Sequence, residues 1–416
     1  MSDFIELIEY ETAVVELSQP QAQRLATRGK SVITVQPAGQ TNHYSITAHN
    51  LVGTLVVDDL RLLIRPKIRP ENLFLLLEVG LDEHAWRQEA FDYAKRADLL
   101  PSVIAFYART LETTLARGLL RSYRPEGDRL IALRGRIDTA AQFRQAGVAL
   151  PVACRFEEHT PDIAENRYLK AATRLALRVP GVDSEDRRRL LQQVASLEDV
   201  ADGFMPADYL DQIAITRLNV HYQPALRLAR LLLENLTLAD QRGQHAASSF
   251  VVDMNRLFEN FVTQRLRRAL KGHLEVRDQV SNNYLDTRQQ VPIRPDLVFR
   301  RQGHEVYVAD IKYKLTDDAR ARTSDYYQLL AYATALDLPE GALVYCLADG
   351  GQPERTITVR HVGKLLHTLA IDLSGPPTEV AAEIAKAATW IKQRVREISP
   401  LTAPVRKEPA RSPALV

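Results

Sequence analysis

Residues 293–314 read IRPDLVFRRQGHEVYVADIKYK, and this stretch decides how the C-terminal third of the chain folds. Residues 293–300 and 304–312 are rich in Val, Ile, Phe and Tyr and flank Arg301-Gln302-Gly303, the composition of two strands joined by a tight turn. A turn centred on Gly303 pairs residue i with residue 606 − i, which sets Asp296 opposite Asp310. Facing side chains of an antiparallel pair have Cβ atoms roughly 4.5–5.5 Å apart, a gap that one divalent cation can bridge. Period-two alternation places Asp310 and Lys312 on one face, with Ile311 and Tyr313 on the other.

Two anionic carboxylates with a lysine beside them suit metal-dependent phosphodiester hydrolysis. Mg²⁺ takes oxygen ligands at about 2.0–2.1 Å and keeps several waters, so two carboxylates suffice to hold it, and Mn²⁺ is an acceptable substitute. The ion activates a water for attack on phosphorus, while Lys312 orients that water or offsets charge in the transition state. An Asp-x-Lys on a strand is also a common surface salt-bridge pattern. The matching Asp296 is what separates the two readings.

Two helical segments extend the candidate site. In DMNRLFENFVTQRLRRAL, residues 253–270, Met254, Leu257, Phe258, Phe261, Val262 and Leu266 form one apolar face, and Asn255 and Glu259 lie at its edge. Glu259 is a candidate third metal ligand, directly or through water, or else a solvated carboxylate. In SDYYQLLAYATAL, Gln328 and Tyr332 share a helix face at i and i+4 and are candidates to support the phosphate or the lysine region. Tyr332 reads equally as a core residue.

The expected order is helix, strand near 274–280, carboxylate hairpin, helix, then the strand ALVYCLA. This α-β-β-β-α-β core resembles that of the PD-(D/E)xK nuclease superfamily. Pro295-Asp296 and Asp310-Ile311-Lys312 are similar to its signature, and Gln328-x-x-x-Tyr332 is similar to the motif of its RecB-like branch. MNRLFENFV, the hairpin ending DIKYK, IRPKI (64–68), LRGRI (133–137) and FEEHTPDIAENRYL (156–169), taken in order, resemble the McrC family. That resemblance implies the nuclease subunit of a modification-dependent (type IV) restriction system. It implies cleavage of double-stranded, modified-cytosine DNA, a separate AAA+ McrB-type GTPase as partner, contact with that partner through the N-terminal part, and stimulation of its GTPase. The alternatives are a PD-(D/E)xK nuclease of repair or recombination without a GTPase partner, and a non-catalytic adaptor of the partner motor.

The fold class expected is a multidomain α+β or α/β protein. It comprises a β-rich N-terminal domain at 1–82, a mainly helical domain at 83–247, the nuclease-like domain at 248–398 and a disordered tail at 399–416. Strands are expected in SVITVQ, HYSITAH, LVGTLVV and LRLLIRPKI, and helices at 103–121, 163–178, 184–198, 221–235 and 378–397. Gly135 reads as a tight backbone position whose neighbouring arginines make structural ion pairs or meet DNA or a partner.

With 416 residues, 45% of them hydrophobic, the chain can build two or three cores. The acidic start MSDFIELIEYE lacks the layout of a signal peptide, and no apolar run reaches the length of a membrane span. Cys154 and Cys346 are too few for a disulfide framework, so the cytoplasm is the expected compartment. The net charge of +2 leaves nucleic-acid binding to local patches, with Arg265, Arg267, Arg268 and Lys271 on one helix end and Arg294, Arg300 and Arg301 around the hairpin. There is no G-x-x-x-x-G-K-[ST], so no bound nucleotide is expected, and no G-x-S-x-G or H-E-x-x-H suggests serine or zinc hydrolysis.

Overall fold

The computed structural model describes residues 4–77, 99–144, 150–241, 249–278, 280, 283–316, 323–347 and 354–398. The tail expected to be disordered, 399–416, lies outside the described residues. The chain is a mixed α/β protein that divides into two compact units. One takes residues up to 65 together with 78–252, and the other takes 66–77 together with 253 onward.

The first unit begins with the strands β1 (Phe4–Ile8) and β2 (Thr12–Glu16), the helix Gln19–Arg28, then β3 (Ile33–Pro37), β4 (His43–Ala48), β5 (Leu51–Val57) and β6 (Leu60–Arg65). β3 to β6 fall where the sequence puts strands; β1, β2 and the helix do not announce themselves in the alternation. β1 runs parallel to β6, which pairs antiparallel with β5, while β2, β4 and β3 make a separate antiparallel sheet. Their inward side chains, among them Leu7, Leu25, Ile46, Leu62 and Ile64, close one apolar core. Gly53 has φ near +131° and sits where a Cβ would lie 2.2 Å from the carbonyl oxygen of Phe250.

The middle region supplies the helices Leu99–Leu115, Ala164–Leu177, Ser184–Ser196 and Gln223–Gln241, close to the expected spans. What the helical reading omits is an antiparallel sheet of β7 (Ser122–Leu130), β9 (Val152–Thr160) and β8 (Arg136–Ile137), with the short helix Thr139–Phe143 between β8 and β9. β7 reads SYRPEGDRL and is exposed along most of its length, so it lacks the apolar alternation that betrays a strand. Gly135 behaves as its sequence suggests. Its φ is +72°, and a Cβ there would meet the Arg155 carbonyl oxygen at 2.3 Å. β10 (Phe250–Asp253) joins the sheet of β1, β6 and β5 beside β5 and ends the unit.

The second unit opens with the helix Pro70–Leu77, although the sequence reading groups that segment with the N-terminal strands. Asn72, fully buried, donates from Nδ2 to the carbonyls of Leu373 and Gly375 at 2.7 Å each and so ties this helix into the unit. The helix Met254–Ala269 is capped by Asp253, whose carboxylate accepts from the Asn255 and Arg256 amides. Then come β11 (Glu275–Asp278), the paired β12 (Asn283–Tyr284) and β13 (Pro292–Ile293), β14 (Leu297–Arg301) and β15 (His304–Thr316). The helix Thr323–Ala335, β16 (Glu340–Leu347), β17 (Glu354–Thr358), β18 (Leu365–Asp372) and the helix Pro377–Ile398 complete it. The sheet order is β11-β14-β15-β16-β18-β17, parallel at β15/β16 and β16/β18 and antiparallel elsewhere.

Both faces of this sheet are covered, which explains the continuous apolar runs of β14 and β16. The helix Thr323–Ala335 packs Leu329 and Tyr332 against Val308, Leu343 and Tyr345 on one face. On the other, Phe258 meets the Tyr313 ring at 5.7 Å and Trp390 meets the Tyr307 ring at 6.3 Å.

We expect Gly53→Ala to lower the unfolding free energy by more than about 1 kcal/mol, because a side chain must adopt a disfavoured φ and displace the Phe250 backbone. The midpoint of urea unfolding checks this, and an unchanged midpoint would show that β5 and β10 can separate at no cost.

Candidate active site

The carboxylate hairpin reaches its register by a route different from the one expected. The turn consists of Gln302 and Gly303, both at positive φ (52° and 86°), which is the primed two-residue geometry of tight hairpins. That turn pairs Arg301 with His304 and Arg300 with Glu305, one residue out of the expected register. A bulge between Phe299 and Arg300 then absorbs Val306 and restores it, so that Phe299 faces Tyr307 and Leu297 faces Ala309. Asp296 arrives beside Asp310 just beyond the last ladder pair. Its Oδ2 accepts a hydrogen bond from the Ile311 amide at 2.8 Å and so extends the pairing by a side chain.

Asp310 lies on β15, flanked by β14 and β16, with no exposed surface. Lys312 Nζ stands 2.8 Å from Asp310 Oδ2 and 3.9 Å from Asp296 Oδ2. Its approach to Asp310 is off the direction a hydrogen bond requires, so both buried oxygens of Asp310 lack a directed donor. Burial and the negative charge of Asp296 push the Asp310 carboxyl up to about 7, more than the adjacent Lys312 ammonium pulls it down. Burial works against the charge on Lys312, but Asp310 and Asp296 outweigh it and hold its ammonium above the usual range. A sealed carboxylate paired only with an ammonium off the hydrogen-bond direction, beside a second carboxylate, is a site whose electrostatics improve when a cation enters.

Gln328 and Tyr332 come together as the i, i+4 spacing predicts. Gln328 Nε2 donates to the Tyr332 hydroxyl at 2.6 Å, and that hydroxyl donates to the Arg294 carbonyl at 3.0 Å. The pair therefore holds the backbone two residues before Asp296, and burial raises the Tyr332 phenol above its ordinary range. Glu259 is half-buried on the helix Met254–Ala269, which packs Phe258 on the Tyr313 face of the sheet, opposite the face carrying Asp310 and Lys312. Among the described residues no group of three His, Cys, Asp or Glu side chains is placed to hold a metal, so Glu259 does not join the two aspartates here. An ion at this site would take two carboxylates and complete its shell from water or substrate, as Mg²⁺ commonly does.

One residue of the site escapes the sequence reading. Asp325, buried, accepts from the Tyr345 hydroxyl at 2.7 Å, and Tyr345 is the parallel-strand neighbour of Lys312. Burial, and then the bond to Asp325, drive the Tyr345 phenol far above its ordinary range. Asp325 shares a helix face with Gln328 and Tyr332 at i, i+3 and i+7, a signal available in the sequence.

The arginines and upstream motifs divide by role. Arg267 pairs with Asp278 at 2.7 Å, and Arg294 is exposed next to the site. In FEEHTPDIAENRYL, Asp162 accepts from Arg167 at 2.5–2.6 Å, from Arg124 at 2.7 Å and from the Ala201 amide at 2.9 Å. Those bonds, above all the one from Arg167, hold its carboxyl well below the usual range, which marks a structural hub. Arg134 of LRGRI lies 4.0 Å over the Phe156 ring and 3.9 Å from Glu158, which is the first of the two roles its sequence allows, a structural ion pair.

Two measurements follow from this geometry. Native Asp310 binds its proton more tightly than an unfolded aspartate, so in EDTA the stability it contributes is full below about pH 4. That stability is lost as the pH rises through about 7. Asp310→Asn should remove this component, on the order of a few kcal/mol between pH 4 and 8; identical pH slopes for both proteins would sink the burial argument. Tyr332→Phe leaves Gln328 and the Arg294 carbonyl without a partner and should cost about 1–2 kcal/mol in denaturant unfolding, whereas a neutral result would place the hydroxyl outside the support of Asp296.

The model of the family described as McrBC 5-methylcytosine restriction system component matches residues 46–346. Among solved structures the chain is similar, at 19% identity and a TM-score of 0.52, to a chain of a half-complex from a tetradecameric assembly of Thermococcus gammatolerans McrB AAA+ hexamers with bound McrC. That match covers 93% of this chain and 100% of the other, and it speaks for a shared fold. A second match, to the Thermococcus gammatolerans McrBC complex, has 22% identity and a TM-score of 0.43 and covers 66% of this chain and 89% of the other. No curated protein matches. Among the described residues no helix is long and apolar enough to cross a membrane. The family match spans well over half of the chain and agrees with the motifs, and the chain belongs to the McrC family of McrBC 5-methylcytosine restriction system components.

Proposed function

We propose that the chain is the Mg²⁺-dependent endonuclease subunit of a modified-cytosine-dependent restriction system. It cuts double-stranded DNA in the cytoplasm and stimulates the GTPase of an AAA+ McrB-type partner. The observation that carries the reading is the meeting of Asp296, Asp310 and Lys312 within 2.8–3.9 Å at one end of a hairpin, with Asp310 sealed from solvent and without a directed donor. The element order around that hairpin supports a PD-(D/E)xK core, and family membership supports the restriction setting. The McrB hexamers that carry bound McrC in the Thermococcus gammatolerans structure support a motor partner, and the N-terminal strands are the part proposed to meet it.

Asp296 and Asp310 are the residues that would hold Mg²⁺, or Mn²⁺ in its place. When bound, such an ion supplies charge against the phosphate oxygens and a water acidic enough to attack phosphorus. The chain's own groups do the rest. Asp296 is fixed by the Ile311 amide and, through Arg294, by Tyr332 and Gln328. Lys312, half-buried and held charged by its carboxylate neighbours, offsets negative charge as it accumulates on the phosphoryl oxygens and orients the nucleophile. The Asp325–Tyr345 bond packs against the strand position next to Lys312 and keeps that segment in place. Glu259 takes part through a water.

The test is cleavage of methylated and unmethylated plasmid with Mg²⁺, by this chain with and without an AAA+ GTPase partner and GTP. Cutting is expected with modified DNA, partner and GTP together. Asp310→Asn and Lys312→Ala should each lower it by at least about 10²-fold while partner assembly persists. Equal cutting by Asp310→Asn and wild type would overturn the site. Cutting by the chain alone would keep the chemistry and remove the motor from the reading.

A further inference from the structure

The arginines around the carboxylate hairpin form a candidate nucleic-acid patch, and Arg300 and Arg301 stand away from the carboxylates. Arg300 and Arg301 lie at the turn end of β14, four and five residues from Asp296, which is about 13–17 Å along a strand. There they meet the end of the helix Met254–Ala269 and the start of β11 around a surface pocket of about 540 Å³. Arg267, Lys271, His273, Arg300 and Arg301 line it, and the carboxylate among the lining residues, Glu275, is already taken by Arg277 at 2.8 Å.

The helix dipole explains cations in its last turn, Arg267 among them, and Arg267 also has Asp278 and the Val276 carbonyl as partners. It does not explain Arg300 and Arg301, which come from the hairpin. Arg300 lines the pocket and has Glu275 and Glu305 as cross-strand neighbours, but among the described residues it forms an ion pair with neither. A guanidinium lining a pocket beside other cations, with no carboxylate pair among the described residues, best fits an oxyanion, which matches its planar donor fork. The pocket is large enough for a phosphate together with the sugar it is attached to.

We propose that this pocket is an anion site for a phosphate group, separate from the two-aspartate centre. Arg300 supplies the directed donors and Lys271 and Arg301 the flanking charge. A backbone phosphate of DNA is the source if the nuclease reading of the chain holds. A free phosphate compound offers the same chemistry, and the experiment separates the two.

The full-length chain is titrated in EDTA, where no cleavage occurs, with fluorescent duplex DNA at several salt concentrations and separately with inorganic pyrophosphate by calorimetry. Lys271→Gln/Arg300→Gln is expected to weaken DNA binding about tenfold and to flatten the slope of log K against log salt by about 2. Lys271→Glu, at an exposed position, should move affinity the same way and serves if the double variant fails to fold. Unchanged DNA binding with loss of pyrophosphate binding in the variants supports the site with a free phosphate compound as its ligand. Wild-type affinity for both probes in the folded variants overturns the proposal, as does absence of binding of either probe to the wild type. Plasmid cutting is scored apart, so a failure of the nuclease reading leaves these outcomes readable.

Discussion

A buried carboxylate with no directed donor is the constraint around which the second unit is organised. Asp310 sits on β15 between β14 and β16, under the helix Thr323–Ala335, where water cannot solvate its charge. Such a group is tolerated when it is protonated, paired or bound to a cation, and each of these leaves a mark on its surroundings. Burial and Asp296 raise its proton affinity, while Lys312 opposes the rise from 2.8 Å away. The three groups are poised between a protonated state and a cation-bound one. Replacing buried charges by well-packed apolar groups is often neutral or stabilising, so such a trio is weak evidence for a purely structural role.

The scaffold holds that trio from three directions. The primed turn and the bulge fix the register of β14 on β15, because a slip of one residue would send Asp310 and Lys312 to the face now occupied by Ile311 and Tyr313. The Ile311 amide grips Asp296 where the ladder ends. Gln328 and Tyr332 grip the Arg294 carbonyl from the helix that connects β15 to β16. Arg300 and Arg301 lie at the far end of the hairpin, and among the described side chains Lys312 is the cation beside the carboxylates, with exposed Arg294 as a neighbour.

In the first unit, the segments that carry the family resemblance read as structural. Asp162 collects two arginines and a backbone amide, Asn166 donates to the Leu120 and Pro161 carbonyls, and Gly135 lets its strand pass against the Arg155 carbonyl. These residue types are required because a carboxylate serving two arginines, an amide bridging two carbonyls and a left-handed backbone each admit few substitutes. Family motifs here therefore mark the frame, while the residues proposed to carry the chemistry lie in a short stretch of the second unit.

The sequence by itself determined the strands of the hairpin, the face shared by Asp310 and Lys312, and the pairing of Gln328 with Tyr332. Each of these follows from a local period of two or 3.6 residues. It also located the helices on either side of the hairpin, because their apolar spacing is unambiguous. Tertiary structure decided the rest. The bulge at Phe299/Arg300 shows no local signal, since any of several residues could be the one extruded. The bond from Tyr332 to Arg294 ends on a backbone carbonyl, which carries no side-chain identity to read. Glu259 looked eligible from its place at the edge of an apolar face, but which face of the sheet its helix covers is a property of packing. The sheet of β7, β8 and β9 was hidden because an exposed, charged strand has no inward row to reveal it. Periodicity reports what a segment buries, and a segment that buries little is legible only once its partners are in place.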